Sequence, residues 1–425
     1  MKKFALNKGI AIRQEFFGCL IFDPTTERFY QYNQDAFKIL KYLKFPATKT
    51  ELILRLKQDG LKMNEDCLGI FLDDLKRKKV LVDASSDKTL SLFTEISMGD
   101  IVPDNYLVAP TGCTIYVTEF CSKRCLHCIV RSSPNVSTKN DLTIKEWQPI
   151  FIKLREWGVF SLIFTGGEPL LKKDIFEILG AADKLGFDLC LLSDYDGINQ
   201  TIIDKLKQLQ NLNYIQVSLD GASELTHDFL RGKGSFNKSI KRIKLFIDNG
   251  FEITVSSVIH KNNYSEVLQL AELCKGLGVK YLYLNPIAPY GRAKEELVNL
   301  CLSDHELYKL GLIYYYIIRV IGISSGNQFW ENLNPEDVLK EDFFPFKDIP
   351  TVMSSAIFQL SINSSGDCYL DSKMKSENLF KLGNAITDDL KEMWNSEKLK
   401  PLRKTFTPGN SAFIKHSDLL NLITT

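Results

Sequence analysis

The sequence has almost no excess charge and no hydrophobic run long enough to cross a membrane. Lys and Arg total 53 and Asp and Glu total 52, so the net charge of +1 predicts no basic surface for nucleic acid or an anionic membrane. The longest apolar segment, Leu310 to Ile323, is interrupted by Arg319 and is shorter than the roughly 20 residues that span a bilayer. We therefore expect neither nucleic acid nor membrane as a partner.

The ten cysteines also lack the regular spacing of a disulfide framework. The N-terminal residues lack the apolar stretch of a signal peptide. We therefore expect a cytoplasmic protein with reduced thiols. A hydrophobic content of 44% and a charged content of 25% are typical of a soluble globular chain, and 425 residues are enough for two or three domains.

Three of the cysteines are close together in the sequence. Cys121, Cys125 and Cys128 have C-x3-C-x2-C spacing directly after an apolar, strand-like run at 114–120. Thiolates favour iron–sulfur clusters or zinc. Zinc would need a fourth ligand, and Cys113 lies a full strand length away. Three thiolates on a four-iron cluster leave one iron for a substrate, so we favour the cluster and keep zinc as the alternative.

A second motif follows one strand–helix unit later. The run Ser161–Thr165 indicates a strand that leads into Gly166-Gly167-Glu168. Glycines allow a positive φ and close approach of the backbone to a ligand. The Glu168 carboxylate is suited to an amino group. The two motifs together are a more specific signal than either alone.

The two motifs resemble those of radical S-adenosylmethionine (SAM) enzymes, in which a C-x3-C-x-Φ-C loop precedes a GGE turn. Position Φ, often aromatic in that family, is His127 here. The resemblance extends to 217–221 and 227–232, which are similar to the branch that modifies peptides and proteins. We expect His227 and His260 to pack or form hydrogen bonds rather than to bind a metal.

This resemblance implies one [4Fe–4S] cluster and SAM as cofactors. Cys121, Cys125 and Cys128 would bind three irons, and the amino and carboxylate groups of SAM would bind the fourth. Electron transfer from a flavodoxin- or ferredoxin-type reductant would then cleave SAM to methionine and a 5′-deoxyadenosyl radical. The cofactor supplies the difficult chemistry, and the protein orients it.

The resemblance also implies which residues bind SAM. These are Thr165, Gly166, Gly167, Glu168, Ser193, Asp194, Ser218, Asp220 and Arg231. The turn ending at Glu168 would contact the methionine amino group, Ser218 and Asp220 the ribose and methionine, and Arg231 the methionine carboxylate. The alternative for the last three residues is a turn with a surface ion pair, which contributes little.

Two details of this assignment differ from the family pattern or are ambiguous. Ser193 and Asp194 stand where relatives often carry Thr-Asn-Gly, whereas this chain reads Ser-Asp-Tyr-Asp-Gly. Val258, Asn285 and Pro286 are candidates for a wall of the adenine site, but their positions also suit the core of a strand.

From residue 114 onwards, strand and helix patterns alternate six times. The predicted strands are 114–120, 161–165, 187–193, 214–219, 252–259 and 280–285. The predicted helices begin near 143, 173, 200, 236, 264 and 303. Alternating βα units imply parallel strands with right-handed crossovers. The fold class is therefore α/β, and the resemblance implies a partial (β/α)6 TIM-like barrel with its site at the carboxyl ends of the strands.

The N-terminal region predicts a separate winged-helix-like α+β domain. Two strand-like runs flank the turn 23–26, three amphipathic helices follow, and 79–82 could close the sheet. This module resembles the leader-recognition (PqqD-like) domain of peptide maturases, which implies that a precursor's leader peptide adds to a sheet edge. DNA binding is the alternative, but the third helix carries acidic residues that disfavour it: Glu65, Asp66, Asp73 and Asp74.

The C-terminal region resembles the auxiliary-cluster (SPASM/twitch-like) domain of peptide maturases. Its similarity lies in 358–371, 382–386 and 390–394. Asp371 falls where relatives carry a cysteine, and no cysteine follows Cys368. Because a further cluster needs several thiolates, we expect this small α+β domain to lack auxiliary clusters.

Cys301 and Cys368 are candidate catalytic residues, as hydrogen-atom donors in an epimerisation. A lone cysteine is more often a small buried hydrophobic residue. The predicted domains are a leader-recognition domain (1–84), a linker (85–110), the partial barrel (111–300), a bridging helical region (301–350) and the SPASM/twitch-like domain (351–425).

The favoured function is a radical SAM maturase that crosslinks or epimerises a ribosomally made precursor peptide. One alternative is maturation of a larger protein or of a tetrapyrrole cofactor. Another is a non-catalytic peptide-binding scaffold with a structural metal.

Overall fold

The computed structural model describes most of the chain. The described residues are 3–26, 28–61, 63–84, 92–97, 100, 103, 106–324, 359–371, 375, 381–400 and 403. Phe358 and the second half of the predicted bridging region therefore lie outside them. The chain divides into two compact units. Unit 1 comprises Met1–Ala109 and Glu156–Phe160, and unit 2 comprises Pro110–Arg155 and Ser161–Thr425.

Unit 1 combines short strands with three helices. Its elements are β1 (Lys3–Leu6), β2 (Ala11–Glu15), β3 (Gly18–Asp23), β4 (Arg28–Asn33), α1 (Gln34–Tyr42), β5 (Ala47–Thr48), α2 (Lys49–Gln58), α3 (Glu65–Arg77), β6 (Leu81–Ala84) and β7 (Leu92–Thr94). Asn33, Thr48 and Asn64 cap the three helices through their side chains. The apolar faces of the helices meet in one core.

The strands of unit 1 form two sheets rather than the single sheet expected. One has the order β4-β3-β2-β7 and the other β5-β1-β6. The segment 79–82 was expected to close the hairpin sheet, but the strand is Leu81–Ala84 and it pairs with β1. Part of the predicted linker also has regular structure, because β7 pairs in parallel with β2. These strands are too short for a clear period-2 pattern.

Unit 2 is built on alternating strands and helices. Its elements are β8 (Gly112–Tyr116), α4 (Ile144–Trp157), β9 (Ser161–Thr165), α5 (Ile175–Lys184), β10 (Asp188–Leu192), α6 (Gln200–Lys207), β11 (Leu212–Ser218), α7 (Glu224–Arg231), α8 (Ser235–Asp248), β12 (Ile253–Ile259), α9 (Val267–Leu277), β13 (Tyr281–Pro286), α10 (Ala293–Glu296), α11 (Asp304–Tyr316), β14 (Gln359–Ile362), β15 (Asp367–Tyr369), β16 (Gly383–Asn384) and α12 (Leu390–Trp394).

The six strands from β8 to β13 pair in parallel and in chain order. This confirms the α/β fold with six βα units. The first strand ends at Tyr116 rather than at Phe120, and α7 was not predicted. The early end of β8 leaves residues 117–120 in an extended segment that leads to the cysteines at the carboxyl edge of the sheet.

The described C-terminal strands continue the same sheet. β14 pairs in parallel with β8, and β15 and β16 follow antiparallel to it. The predicted separate α+β domain is therefore, in its described part, an extension of the barrel sheet within unit 2. Among the described residues, no helix is both long enough and apolar enough to cross a membrane.

Candidate active site

The cluster loop, defined as Cys121–Cys128, lies at the carboxyl end of β8. Its three thiols are partly exposed. The Cys128 amide donates to the Cys125 carbonyl at 3.3 Å, which closes a turn, and the Leu126 amide donates to the Leu230 carbonyl at 2.9 Å. The loop is therefore held against the end of α7 while its thiols remain accessible.

The thiols influence one another electrostatically. Burial, together with the negative charges of Glu168, Cys125 and Cys128, raises the pKa of Cys121 to about 12. Burial also raises the pKa of Cys125, while the positive charge of Arg231 opposes this rise. A metal binds the thiolate and displaces its proton, so a bound cluster would relieve the repulsion between the three sulfurs.

The donor set fits a cluster with three protein thiolates. Cys113, the possible fourth zinc ligand, is fully buried near the start of β8 and pairs in register with Leu360, so it is not in the cluster loop. No three His, Cys, Asp or Glu side chains within the described part of the chain are grouped tightly enough to hold a single metal ion. In a [4Fe–4S] cluster, each thiolate binds a different iron.

The glycine turn packs directly on the segment that leads to the cluster loop. A Cβ on Gly166 would lie 2.2 Å from the Thr118 carbonyl oxygen, and one on Gly167 would lie 2.0 Å from that of Phe120. The Gly167 and Glu168 amides donate to the same two carbonyls at 2.7 and 2.8 Å. The two glycines therefore allow a close approach to the chain's own backbone, and their approach to a ligand stays a prediction.

Glu168 is buried and accepts three hydrogen bonds. The donors are the Leu170 amide at 3.1 Å, the Ser193 hydroxyl at 2.7 Å and the Asp194 amide at 2.8 Å. Burial raises the pKa of Glu168 to about 7, while the bond from Ser193 opposes the rise. A carboxylate has about four acceptor sites, so one remains for a ligand amino group.

Arg231 joins two carboxylates and a histidine. Its Nε donates to Asp220, its Nη1 donates to Asp194 Oδ2 at 2.7 Å, and its Nη2 lies 3.2 Å from His127 Nε2. Burial alone would raise the pKa of both carboxyls, but the charge of Arg231, together with the other cationic neighbours and hydrogen bonds, holds both pKa values below their usual range. The Asp220 side chain is fully buried, so the alternative of a surface ion pair is wrong.

Asp194 connects this ion pair to the cluster loop. Its Oδ1 accepts from the Ser218 amide at 2.9 Å and from Arg242 Nη1 at 3.4 Å. Its carbonyl accepts from Lys123 Nζ at 2.9 Å, and the same ammonium lies 3.0 Å from Asp196. The departure from Thr-Asn-Gly therefore places two carboxylates beside four cationic side chains, those of Lys123, Arg231, Lys238 and Arg242.

Asp220 is fixed from several directions. Its amide donates to His227 Nδ1 at 2.9 Å, and its Oδ1 accepts from the Val258 amide at 2.8 Å. Asn263 Nδ2 donates to the Asp220 carbonyl at 2.5 Å and to the Val258 carbonyl at 2.8 Å. His227 thus forms a hydrogen bond, as expected, and Val258 contributes its backbone to this arrangement.

Two imidazole nitrogens near this network are buried and lack a hydrogen-bond partner among the described residues. They are His127 Nδ1 and His260 Nε2. Burial and the neighbouring positive charge of Arg231 lower the pKa of His127 to about 4. Buried polar atoms in folded proteins are normally hydrogen-bonded, so these two nitrogens are exceptions within the site.

The remaining predicted SAM residues also lie at strand ends. Thr165 ends β9, and its carbonyl accepts from the Val117 amide at 3.1 Å. Asn285 is exposed, and its Nδ2 donates to the Ser256 hydroxyl at 3.0 Å. Pro286 ends β13. Asn285 is therefore a surface residue at the edge of the sheet rather than part of a strand core.

The two candidate catalytic cysteines have different surroundings. Cys368 lies in β15 with 0% exposure, and its thiol contacts the Gly366 carbonyl at 3.6 Å. Cys301 is partly exposed and packs on a small apolar cluster that also contacts Leu126 and Val258. The structure therefore brings Cys301 towards the cluster loop and leaves Cys368 in the core.

Several residues of the site were missed from the sequence. They are Lys123, Arg242, Asn263 and Arg292. A signal existed only for Lys123, because it lies inside the cysteine motif. The other three follow strands or lie on a helix without a motif, and each has a partner at least 43 residues away in the sequence.

Comparisons with known proteins agree with this geometry. The model of the radical SAM superfamily matches residues 115–274. The model of an iron–sulfur cluster-binding domain named SPASM matches residues 356–413. The chain therefore contains a radical SAM domain and a SPASM domain. The sequence of the SPASM match contains one cysteine, Cys368.

Two curated relatives match part of the chain. The sporulation killing factor maturation protein SkfB of Bacillus subtilis (strain 168) is 29% identical over 210 residues, which is 49% of this chain and 50% of the relative. The AdoMet-dependent heme synthase of Methanosarcina barkeri (strain Fusaro / DSM 804) is 29% identical over 180 residues, 42% of this chain and 51% of the relative. The chain thus spans about half the length of these relatives.

Solved structures show the fold. SuiB of Streptococcus suis, bound to its precursor peptide SuiA, has a TM-score of 0.67 at 18% identity, covering 97% of this chain and 92% of that one. SuiB bound to S-adenosylmethionine gives the same TM-score. The structure titled native anSMEcpe with bound AdoMet has a TM-score of 0.56 at 18% identity over 70% of this chain and 84% of that one. The barrel is thus of the radical SAM type.

Proposed function

We propose that this protein is a radical SAM enzyme that modifies a ribosomally made precursor peptide in the cytoplasm. One observation carries the proposal. The three thiols of the cluster loop adjoin a continuous hydrogen-bonded network of Glu168, Ser193, Asp194, Arg231 and Asp220. A radical SAM site needs both parts in one place.

Under this proposal, the cysteines hold one [4Fe–4S] cluster. When bound and reduced by a flavodoxin- or ferredoxin-type protein, the cluster supplies the electron that cleaves SAM to methionine and a 5′-deoxyadenosyl radical. Glu168 offers its remaining acceptor site to the methionine amino group. Two N–H groups of Arg231 are not used by its three protein contacts, and these would bind the methionine carboxylate.

The proposal of a peptide substrate rests on the structure of unit 1. β4 is an edge strand of the four-stranded sheet. Its Tyr32 ring lies 5.5 Å from the ring of Phe71 on α3, and Lys78 Nζ lies above the rings of Tyr30 and Tyr32. An edge strand beside aromatic side chains is suited to an extended peptide that adds as a further strand. The leader of a precursor is the occupant that we propose.

The modification is a crosslink or an epimerisation at a core residue, and the single cysteine of the SPASM match supports a protein with no auxiliary cluster. The heme synthase relative supports the rival substrate, a tetrapyrrole, through a match to 42% of this chain. The edge strand of unit 1 favours a peptide over that rival.

The test is SAM cleavage by anaerobically reconstituted protein reduced with dithionite. Wild type should release 5′-deoxyadenosine, and Cys125→Ala should release none, because the cluster loses one of its three thiolates. Cys67→Ala removes an exposed thiol of α3 and is the matched control, which should retain the activity. Zinc in place of iron in the wild type, with no cleavage, would favour the scaffold alternative.

Co-expression with a short open reading frame next to the gene tests the substrate. The precursor should change in mass with wild type and remain unchanged with Cys125→Ala. A precursor without its leader should also remain unmodified. SAM cleavage with no mass change in any such peptide would contradict the peptide assignment and favour a larger protein or a tetrapyrrole.

A further inference from the structure

The segment after β13 contacts the cluster loop through a buried arginine. Arg292 is 4% exposed. Its Nη1 donates to the Cys125 carbonyl, and its Nη2 donates to the Ser132 carbonyl at 2.8 Å. Its backbone amide donates to the Cys128 carbonyl at 3.1 Å. One residue therefore binds three carbonyls in or beside the loop, two of which belong to cysteines of the motif.

The residue before Arg292 allows this approach. Gly291 has φ +56°, and a Cβ at this position would lie 2.1 Å from the Ile129 carbonyl oxygen and 2.6 Å from that of Cys128. Any side chain would therefore push the two segments apart. The absence of a side chain and the positive φ are both required, so the contact is built into the backbone as well as into the guanidinium group.

The same segment also makes exposed ion pairs that serve as an internal comparison. Arg131 forms a bidentate pair with Glu295, at 2.8 and 3.1 Å, but the Arg131 and Glu295 side chains are 41% and 62% exposed. Exposed pairs of this kind contribute little. Arg292 differs because its side chain is buried, its bond to the Ser132 carbonyl is buried and its bond to the Cys125 carbonyl is partly buried. An unmade hydrogen bond is costly in such surroundings.

We propose that Arg292 is a positioning residue that fixes the backbone of the cluster loop before iron binds. The planar guanidinium donates to the carbonyls of both Cys125 and Ser132. It thereby holds the loop backbone in one conformation, which determines the directions in which the thiols point. Lysine has one ammonium and cannot reproduce this fork. The claim that Arg292 fixes the loop backbone does not depend on iron. The consequence for iron binding rests on the proposed function.

The first test is hydrogen exchange of the full chain without iron. In Arg292→Met, amides of residues 121–133 should exchange about tenfold faster or more, because buried hydrogen bonds are lost. Arg292→Lys should lie between Arg292→Met and wild type, and Gly291→Ala should raise exchange in the same segment. Arg131→Gln is the matched control and should leave the exchange of these amides within about twofold of wild type.

The second test uses reconstituted protein. Arg292→Met should lose iron to a chelator about tenfold faster than wild type, and the electron paramagnetic resonance signal of its reduced cluster should be broadened relative to that of Arg131→Gln. Unchanged loop exchange in folded Arg292→Met and Arg292→Lys would overturn the inference. Failure of wild type to bind iron would overturn the proposed function and leave the exchange result to decide the role of Arg292.

Discussion

In the part of the chain that the structure describes, each unit has a buried arginine–carboxylate group, and the two groups differ in what else is near them. In unit 1, Arg13 binds Glu15 at 2.7 Å and donates to the Gly158 and Ala109 carbonyls at 2.9 Å each. In unit 2, Arg231 binds two carboxylates at the carboxyl ends of parallel strands. The Arg13 group has Glu15 and backbone carbonyls as partners, whereas the Arg231 group lies beside the cluster loop.

Burial of charge is therefore not sufficient evidence of a functional site. A buried ion pair needs hydrogen bonds for all its members, and Glu15 obtains its further bond from the Val108 amide at 2.9 Å. This pair has the partners expected of a structural contact. The Arg231 group lies near two buried imidazole nitrogens with no hydrogen-bond partner among the described residues, those of His127 and His260. Unsatisfied buried polar atoms beside a buried charge support the proposed ligand site.

The largest effect is expected from Arg231→Met. It leaves Asp220 buried without its counter-ion, which costs about 3–5 kcal/mol of stability. If the folded variant can be isolated, its affinity for SAM should fall by roughly 100-fold or more. Arg231→Lys retains the charge but cannot reach all three partners, so it should be intermediate.

Equilibrium SAM binding at equal iron content measures this effect. Folded Arg231→Met with wild-type affinity for SAM would show that the Arg231 group is as purely structural as the Arg13 pair. The comparison between the two units would then fail.

A smaller overall effect is expected from Arg13→Met, because only stability should change. Glu15 would be left buried and unpaired, at a cost of about 3–5 kcal/mol. Hydrogen exchange of β2 and β3 should report this loss, while SAM affinity of the folded fraction should remain that of wild type. The double variant Arg13→Met with Glu15→Gln removes the unpaired charge and keeps an acceptor for Val108, so it should recover part of the stability. A changed SAM affinity would contradict the structural assignment of Arg13.

Sequence patterns predicted the parts of the fold that have a clear period or motif. The six parallel strands were found because strand-like and helix-like patterns alternate six times along the chain, and the cysteine and glycine motifs identified Glu168 and the cluster loop. β7 and β14 were not found, because three or four residues carry no period and their partners, β2 and β8, are far away along the chain.

The long-range contacts of charged side chains were not predictable. The Arg13 carbonyl partners lie 96 and 145 residues away in the sequence, and the Arg292 partner Ser132 lies 160 residues away. In the sequence, each of these arginines is indistinguishable from one on the surface. Asp194 shows the same limit, because its motif position was recognised but its second arginine, Arg242, was not.

The smallest effect is expected at the solvent-exposed margin of the unit 2 network. Lys238 Nζ lies 3.1 Å from Asp196 Oδ2, but the Lys238 side chain is 56% exposed. Water screens the pair and the long side chain loses entropy, so Lys238→Gln should cost less than about 1 kcal/mol. Lys123 and Arg242 remain on Asp196 and hold it in place. The midpoint temperature of thermal unfolding should fall by about 2–4 °C at most, and the affinity for SAM should not change. If Lys238→Gln lost as much SAM affinity as Arg231→Met, membership of the charged network would determine which residues support the site. Burial and position at the strand ends would then not be the deciding properties.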